Sequence, residues 1–507
     1  MANPLLLLLL TLTVALAVDP ISLPWKNITL TDGVGVNRGI ELLLGGQRLG
    51  LRGTTTYANT RIRNARDCSP GNSTAPVTGC LGTSGSLFDI SLPGSFRPAP
   101  PGNWSVVTMD GYHPEESVNR GYAKAEFEGI PVIDDLPIEV WSRRDSENKS
   151  ALALGRDGSF IQRLVRDKVV PSGVWGLFFG SRSQLRGVDG SLTIGGYDAA
   201  RIAGAWTNFS IDAGYLGASA CPLQVLVKDI FVTTSNGSEH SVFVDRAAMV
   251  SACVDPLQNA FTFTRAMAQR FWEITEHAHH VPGEGANFTD QTYPAGKEHL
   301  MQNLTVVLNN GHTTVIPHYE LVSQERGATQ DEGKYAVTNA SRIMVAVAPD
   351  PDDDGSGNVI PILGGVYLSQ KYLLVDYARK SWSMAPAVIG KMGDERQKIV
   401  TVMSDGEDQD TEGKRSTNVG AVVGGVLAAV IVLTAVLYRR KWIMWLNRCM
   451  YKVAPMTRMS SDKELDTRPT VMGMQHHTVT QLVPAATTID TVVVASELGN
   501  LSAVELG

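Results

Sequence analysis

Apolar residues over most of this chain come in short bursts, not in long helical stripes. Runs at 40–43, 106–109, 138–141, 192–194, 223–227, 241–244, 304–308, 342–347 and 372–376 are rich in Val, Ile and Leu and are broken by Gly, Asn or Pro. Short β-branched runs bounded by turn residues predict strands, so the pattern is that of an all-β protein. Helical spacing is confined to 159–166, where a polar start precedes Phe160, Ile161 and Leu164, and to a weaker pattern over 256–272. Residues 60–104 are rich in Ser, Gly, Pro and Thr and predict loops. Roughly 400 residues of such pattern exceed one simple core and fit two lobes, 18–205 and 206–390.

The pattern changes at both ends. Residues 419–438, VGAVVGGVLAAVIVLTAVLY, carry no charge, and about 20 residues at 1.5 Å rise span a hydrocarbon core. Arg439, Arg440, Lys441, Arg448, Lys452 and Arg458 follow, while Asp405, Glu407, Asp408, Asp410 and Glu412 precede. Positive charge is held on the cytoplasmic side, so a single transmembrane helix over 419–438 places the lobes outside. Residues 1–17 combine the leucine run 5–10 with Ala15-Leu16-Ala17, an apolar region before a small-residue cleavage site. They are expected to be a removed signal peptide, with a retained anchor as the alternative. The resulting plan is a single-pass type I membrane protein of the plasma membrane or a secretory or vacuolar membrane. It has a polar stalk at 391–418 and a cytoplasmic tail at 439–507. The basic, Trp-containing start of the tail is expected at lipid headgroups, with Cys449 a candidate for acylation. The remainder is long enough for a docking peptide and too short for an enzyme domain. Gly420 and Gly424 would allow close helix contact within the span.

A formal charge of −7 and the secretory route argue against a nucleic-acid partner. Four of the five cysteines, Cys68, Cys80, Cys221 and Cys253, lie on the outer side. An even count in an oxidising compartment implies two disulfides with three possible pairings, of which proximity favours Cys68–Cys80 and Cys221–Cys253. Asn27, Asn72, Asn103, Asn148, Asn208, Asn236, Asn287, Asn303 and Asn339 each begin an N-x-Ser/Thr triplet, which predicts a glycosylated surface.

Metal and cofactor chemistry finds little support. Asp350, Asp352, Asp354 and Gly355 start like a calcium loop, but its twelfth position is Pro361 where a bidentate Glu is needed. His277, His279 and His280 lack helical spacing and an acidic partner, and read as a surface loop. Walker, nucleophile-elbow and zincin motifs are absent, and no cofactor is expected.

Two stretches carry a resemblance. Val174-Trp175-Gly176-Leu177-Phe178-Phe179-Gly180 followed by 190–198, GSLTIGGYD, resembles pepsin-like aspartic proteases of filamentous fungi. Further matches fall in family order: Cys221-Pro222-Leu223-Gln224-Val225, then Ser241-Val242-Phe243-Val244-Asp245, then 362–368 with 372–377. The resemblance covers about 30–390 and implies a bilobal pepsin-like fold with a catalytic aspartate in each lobe. Such an enzyme needs two facing carboxylates, each on an Asp-Thr/Ser-Gly turn, sharing one proton. Alignment by the resemblance sets Asp245 at the second-lobe position, followed by Arg246 and Ala247 in place of Thr/Ser and Gly. In the first lobe it sets Thr54-Thr55-Thr56-Tyr57-Ala58-Asn59 on the family's Asp-Thr-Gly-x-x-Asn. The flap hairpin is not recognisable, although Gly121-Tyr122 could form part of it.

Thr54 cannot hold a negative charge near neutral pH, so the implied dyad is broken. The expected function is a non-catalytic pepsin-like glycoprotein with an empty cleft or one that binds a peptide or glycan. The alternative is an active membrane-anchored endopeptidase using Asp245 and a second acid such as Asp67. A surface head serving only as structure or sensor is a third reading.

Overall fold

The computed structural model describes residues 18–29, 36–68, 87–100, 118–142, 150–156, 158–181, 187–211, 221–245, 249–276, 292–296, 301–328, 335–350, 359–390 and 397–404, with single positions 85, 183, 353 and 439. The chain divides into two units, Met1–Lys414 and Arg415–Gly507. Among the described residues the first unit is mostly β. Its strands form a 14-stranded sheet, an eight-stranded sheet, a three-stranded sheet and one two-stranded pair.

Alternation accounts for most strands that have one wet face. In Met301–Leu308, residues Met301, Leu304, Val306 and Leu308 are buried while their neighbours reach solvent. The partner strand Gln224–Thr234 buries Val225 and Val227, then Ile230 and Val232. An irregularity between Val227 and Asp229 shifts the register by one residue, which keeps both halves of the strand facing the core. Asp229, turned inward there, accepts from the Ser241 hydroxyl at 2.5 Å and from the Ile230 amide at 2.7 Å. A strand with neighbours on both edges and both faces covered has no alternation. Trp175–Phe178 is such a strand, buried at every position between Gly190–Ile194 and Lys371–Asp376.

That last pairing crosses the expected lobe boundary. The late strands Lys371–Asp376 and Ser381–Pro386, with Thr207–Ser210, extend the sheet built from early strands. Residue 206 therefore divides the chain but not the sheets.

Part of the range expected as a stalk is paired within the first unit. Ile399–Thr401 pairs antiparallel with Gly196–Asp198, and the Val402 amide donates to the Gly195 carbonyl at 2.9 Å. Ile399, Val400 and Val402 are half-buried there.

The helix Ser159–Arg166 forms as its pattern predicts, burying Phe160, Ile161 and Leu164. The second helix starts later than expected, at Arg265–Thr275. Thr264 caps it by accepting from the Met267 amide, and the buried Asp353 accepts from the Arg265 amide at 2.6 Å. Residues 256–264 instead form a turn and the strand Phe261–Phe263. The 241–244 run is a strand only at its start, Glu239–Ser241, and Val244 is 81% exposed. Here Ser241 accepts from the Phe243 amide at 3.0 Å, which turns the chain out of the sheet.

The signal-peptide region, the span 419–438, the tail beyond 439 and Cys80 lie outside the described residues. No helix among the described residues is long and apolar enough to cross a membrane.

Candidate active site

Two similar constructions meet at one point. In the first, the strand Gln47–Thr54 enters after a hairpin turn whose Gly45 and Gly46 have positive φ, +51° and +77°. Its end runs parallel to Ala151–Ala153, with Thr54 opposite Ala153. Gly155, just beyond, lies so close to the turn after Thr54 that a Cβ there would stand 2.8 Å from the carbonyls of Thr55 and Tyr57. In the second, Val250–Val254 runs parallel to Ile362–Leu363, with Val254 opposite Leu363. Gly364 follows, where a Cβ would stand 2.3 Å from the Ala260 carbonyl and 2.5 Å from that of Gln258. Each strand thus ends in a turn held against the glycine of a parallel neighbour, a close approach that only glycine permits.

The tips of these turns touch. Thr54, fully buried, donates its hydroxyl to Asp255 Oδ2 at 3.0 Å. The Leu257 amide donates to Asp255 Oδ1 at 3.1 Å, closing an Asx-type turn over Pro256. The Thr56 hydroxyl stands 2.9 Å from that of Thr54, and the Thr56 amide donates to Thr54 Oγ1 at 3.3 Å. With the Thr54 proton committed to Asp255, the Thr56 hydroxyl is the donor of that pair.

The carboxylate facing Thr54 is therefore Asp255, and the assignment of Asp245 to the second-lobe position is corrected. Asp245 is exposed, past the end of Glu239–Ser241. Arg246 and Ala247 lie outside the described residues. Both Val244-Asp245 and Val254-Asp255 offer an apolar residue before an acid, ten positions apart. The distinguishing signal is Val250–Val254 ahead of Asp255, containing Cys253 and closed by a proline turn.

The glycine that packs on the Thr54 turn is Gly155, after Leu152-Ala153-Leu154, whereas Gly176 lies inside the strand Trp175–Phe178.

The second-acid candidate Asp67 is occupied elsewhere: it follows four residues after Arg63, which lies in the strand Thr60–Asn64 and whose Nε stands 3.4 Å from Asp67 Oδ2. Gly121 and Tyr122 sit within the strand Val118–Phe127, where the Arg97 guanidinium covers the Tyr122 ring at 4.6 Å. They are not a hairpin tip, and 101–117 lie outside the described residues.

A buried ionic group braces the first turn. Asn59 donates to Glu139 Oε1 at 3.1 Å, and Arg61 and Arg120 approach the same carboxylate at 3.4 and 3.5 Å. Glu139 is fully buried, so this pairing supports a charge that would otherwise be costly. The Arg61 guanidinium also lies over the Tyr57 ring at 3.8 Å and the Trp141 ring at 4.6 Å. Burial raises the Tyr57 phenol above its ordinary value, with Arg61 opposing.

The second turn is braced covalently. Cys221 and Cys253 form a disulfide with Cα atoms 5.7 Å apart, as proximity in sequence favoured. It joins the segment before Gln224–Thr234 to a residue two positions from Asp255.

Of the nine sequon asparagines, Asn27, Asn208 and Asn236 are exposed, and Asn303 and Asn339 are half-buried. Asn72, Asn103, Asn148 and Asn287 lie outside the described residues, as do His277, His279 and His280. Cys68 closes a short 3-10 turn, Ala65–Cys68. Among the described residues no group of His, Cys, Asp and Glu is arranged to hold a metal ion.

No family model matches the chain, and no curated protein matches it. Among solved structures, the aspartic proteinase from Irpex lacteus is similar at 16% identity and a TM-score of 0.46. That match covers 74% of this chain and 99% of the proteinase.

Proposed function

We propose that the chain is a membrane-anchored, glycosylated relative of the pepsin-like aspartic proteases that has lost one acid of the pair and binds a peptide or glycan without cutting it. The observation that carries this reading is the Thr54–Asp255 hydrogen bond at 3.0 Å. Peptide hydrolysis by paired acids needs one carboxylate to activate water while its protonated partner donates to the scissile carbonyl. A threonine hydroxyl does not ionise in the working range and cannot share that proton. Pro256 and Leu257 further replace the hydroxyl residue and glycine that follow the family's aspartate, so the second turn lacks both. A hydroxyl, a carboxylate and a buried polar frame remain suited to hydrogen-bonding an extended ligand.

The test uses full-length protein purified in mild detergent. Denatured protein and peptide libraries should remain uncleaved between pH 2 and 6, and pepstatin-type mimics should bind weakly because their central hydroxyl meets one carboxylate. Turnover by the unaltered chain that vanishes in Asp255→Asn would establish a second acid and overturn the proposal.

A further inference from the structure

A second polar cluster lies where the sheet of Lys371–Asp376 meets the hairpin 301–317. Across that sheet Thr207, Met384 and Leu373 stand in one row. Lys371, two positions from Leu373, therefore points to the same side. His312, in the turn between Met301–Leu308 and Thr313–Pro317, reaches this side, with Nδ1 2.8 Å from Thr207 Oγ1.

Two features of the cluster are incomplete. Lys371 is only 3% exposed, yet no ion pair or side-chain hydrogen bond joins it to another described residue. Burial alone pushes its ammonium down to about 8, with no carboxylate offsetting that effect. His312 Nε2 is buried with no hydrogen-bond partner among the described residues. Burial, with the Lys371 charge as the second cause, lowers this imidazole to about 4, and that charge effect also places the two groups within electrostatic reach of each other. In the tautomer whose Nδ1 accepts from the Thr207 hydroxyl, the neutral ring carries its proton on Nε2. The cluster then presents an ammonium and an N–H, both donors, both largely withdrawn from water. Buried donors without acceptors are costly, and a buried cation without a counter-charge is more so.

We infer that Lys371 and His312 form a binding site for a small oxyanion, a carboxylate or phosphate, entered from solvent beside the half-buried His312. One positive charge and two donors match a compact anion, whose binding would tie the hairpin turn to the start of the Lys371–Asp376 strand. The inference is independent of the Thr54–Asp255 site.

The experiment compares thermal unfolding of the full-length protein at pH 7 in phosphate, acetate and chloride at matched ionic strength. Phosphate or acetate should raise the midpoint with the logarithm of concentration, by roughly 2–5 °C at large excess. Chloride should not, and Lys371→Met and His312→Gln should abolish the response. Equal midpoints in all three salts, or an unchanged response in Lys371→Met, would overturn the site. If Lys371→Met does not fold, nitrogen NMR of the native chain serves: phosphate should shift His312 Nε2 saturably, and an unmoved resonance refutes the inference.

Discussion

At the scale of residues, the Thr54–Asp255 contact makes a sharp prediction about charge. Thr54→Asp would put two carboxyl groups about 3 Å apart in a buried site, where both cannot ionise. The pair's folded pKa is then raised above the ordinary carboxylate value. Stability from that proton is present below pH 4 and lost as pH rises through the raised value. Urea unfolding should find Thr54→Asp weaker than the native chain by about 1–4 kcal/mol at pH 7 and nearly equal at pH 4. Protease activity should not return, because Pro256, Leu257 and Thr56 still occupy the turn positions. His312 has the opposite sign. Its folded value near 4, against an ordinary 6.5, means the folded state binds fewer protons between those limits. Its contribution is complete above pH 6.5 and declines as pH falls toward 4, so His312→Gln should flatten the stability profile in that window.

At the scale of elements, two glycines control how closely strands approach the candidate site. A methyl at Gly364 would meet the Ala260 and Gln258 carbonyls, and one at Gly155 those of Thr55 and Tyr57. These obstacles are backbone and cannot swing aside. Gly364→Ala and Gly155→Ala should each cost about 1–3 kcal/mol in urea unfolding. Gly173→Ala is the control, since its nearest neighbour would be a methyl group of Ile161 at 3.7 Å. The Cys221–Cys253 link closes a loop across a separation of 32 residues. Its removal in the double serine variant should cost about 3–4 kcal/mol by loop-closure entropy. The loss should appear as a lowered denaturation midpoint that reducing agent reproduces in the native chain.

At the scale of the whole molecule, the charge asymmetry around 419–438 predicts orientation. Protease added to intact cells should digest the outer region and leave a tag after residue 507 protected. Digestion of that tag without permeabilisation would reverse the topology. Within the range expected as a stalk, Ile399–Thr401 is paired with Gly196–Asp198. Cleavage by added protease should therefore fall after 404, and a released head ending near 390 would contradict that pairing.

By itself the sequence determined the β character, the helix at Ser159–Arg166 and the absence of a carboxylate at Thr54, and it favoured the Cys221–Cys253 pairing. Each is a local property: periodicity, capping, cysteine proximity or the chemistry of one side chain. Only the tertiary structure decided which acid Thr54 faces. Val244-Asp245 and Val254-Asp255 look alike along the chain, and what separates them is non-local. Val254 pairs with Leu363, more than a hundred residues later, and Gly364 then presses on the following turn. The same holds for the lone burial of Lys371 and for the strand Ile399–Thr401. A polar-looking segment or a lysine in a strand reveals its surroundings only when distant strands close over it.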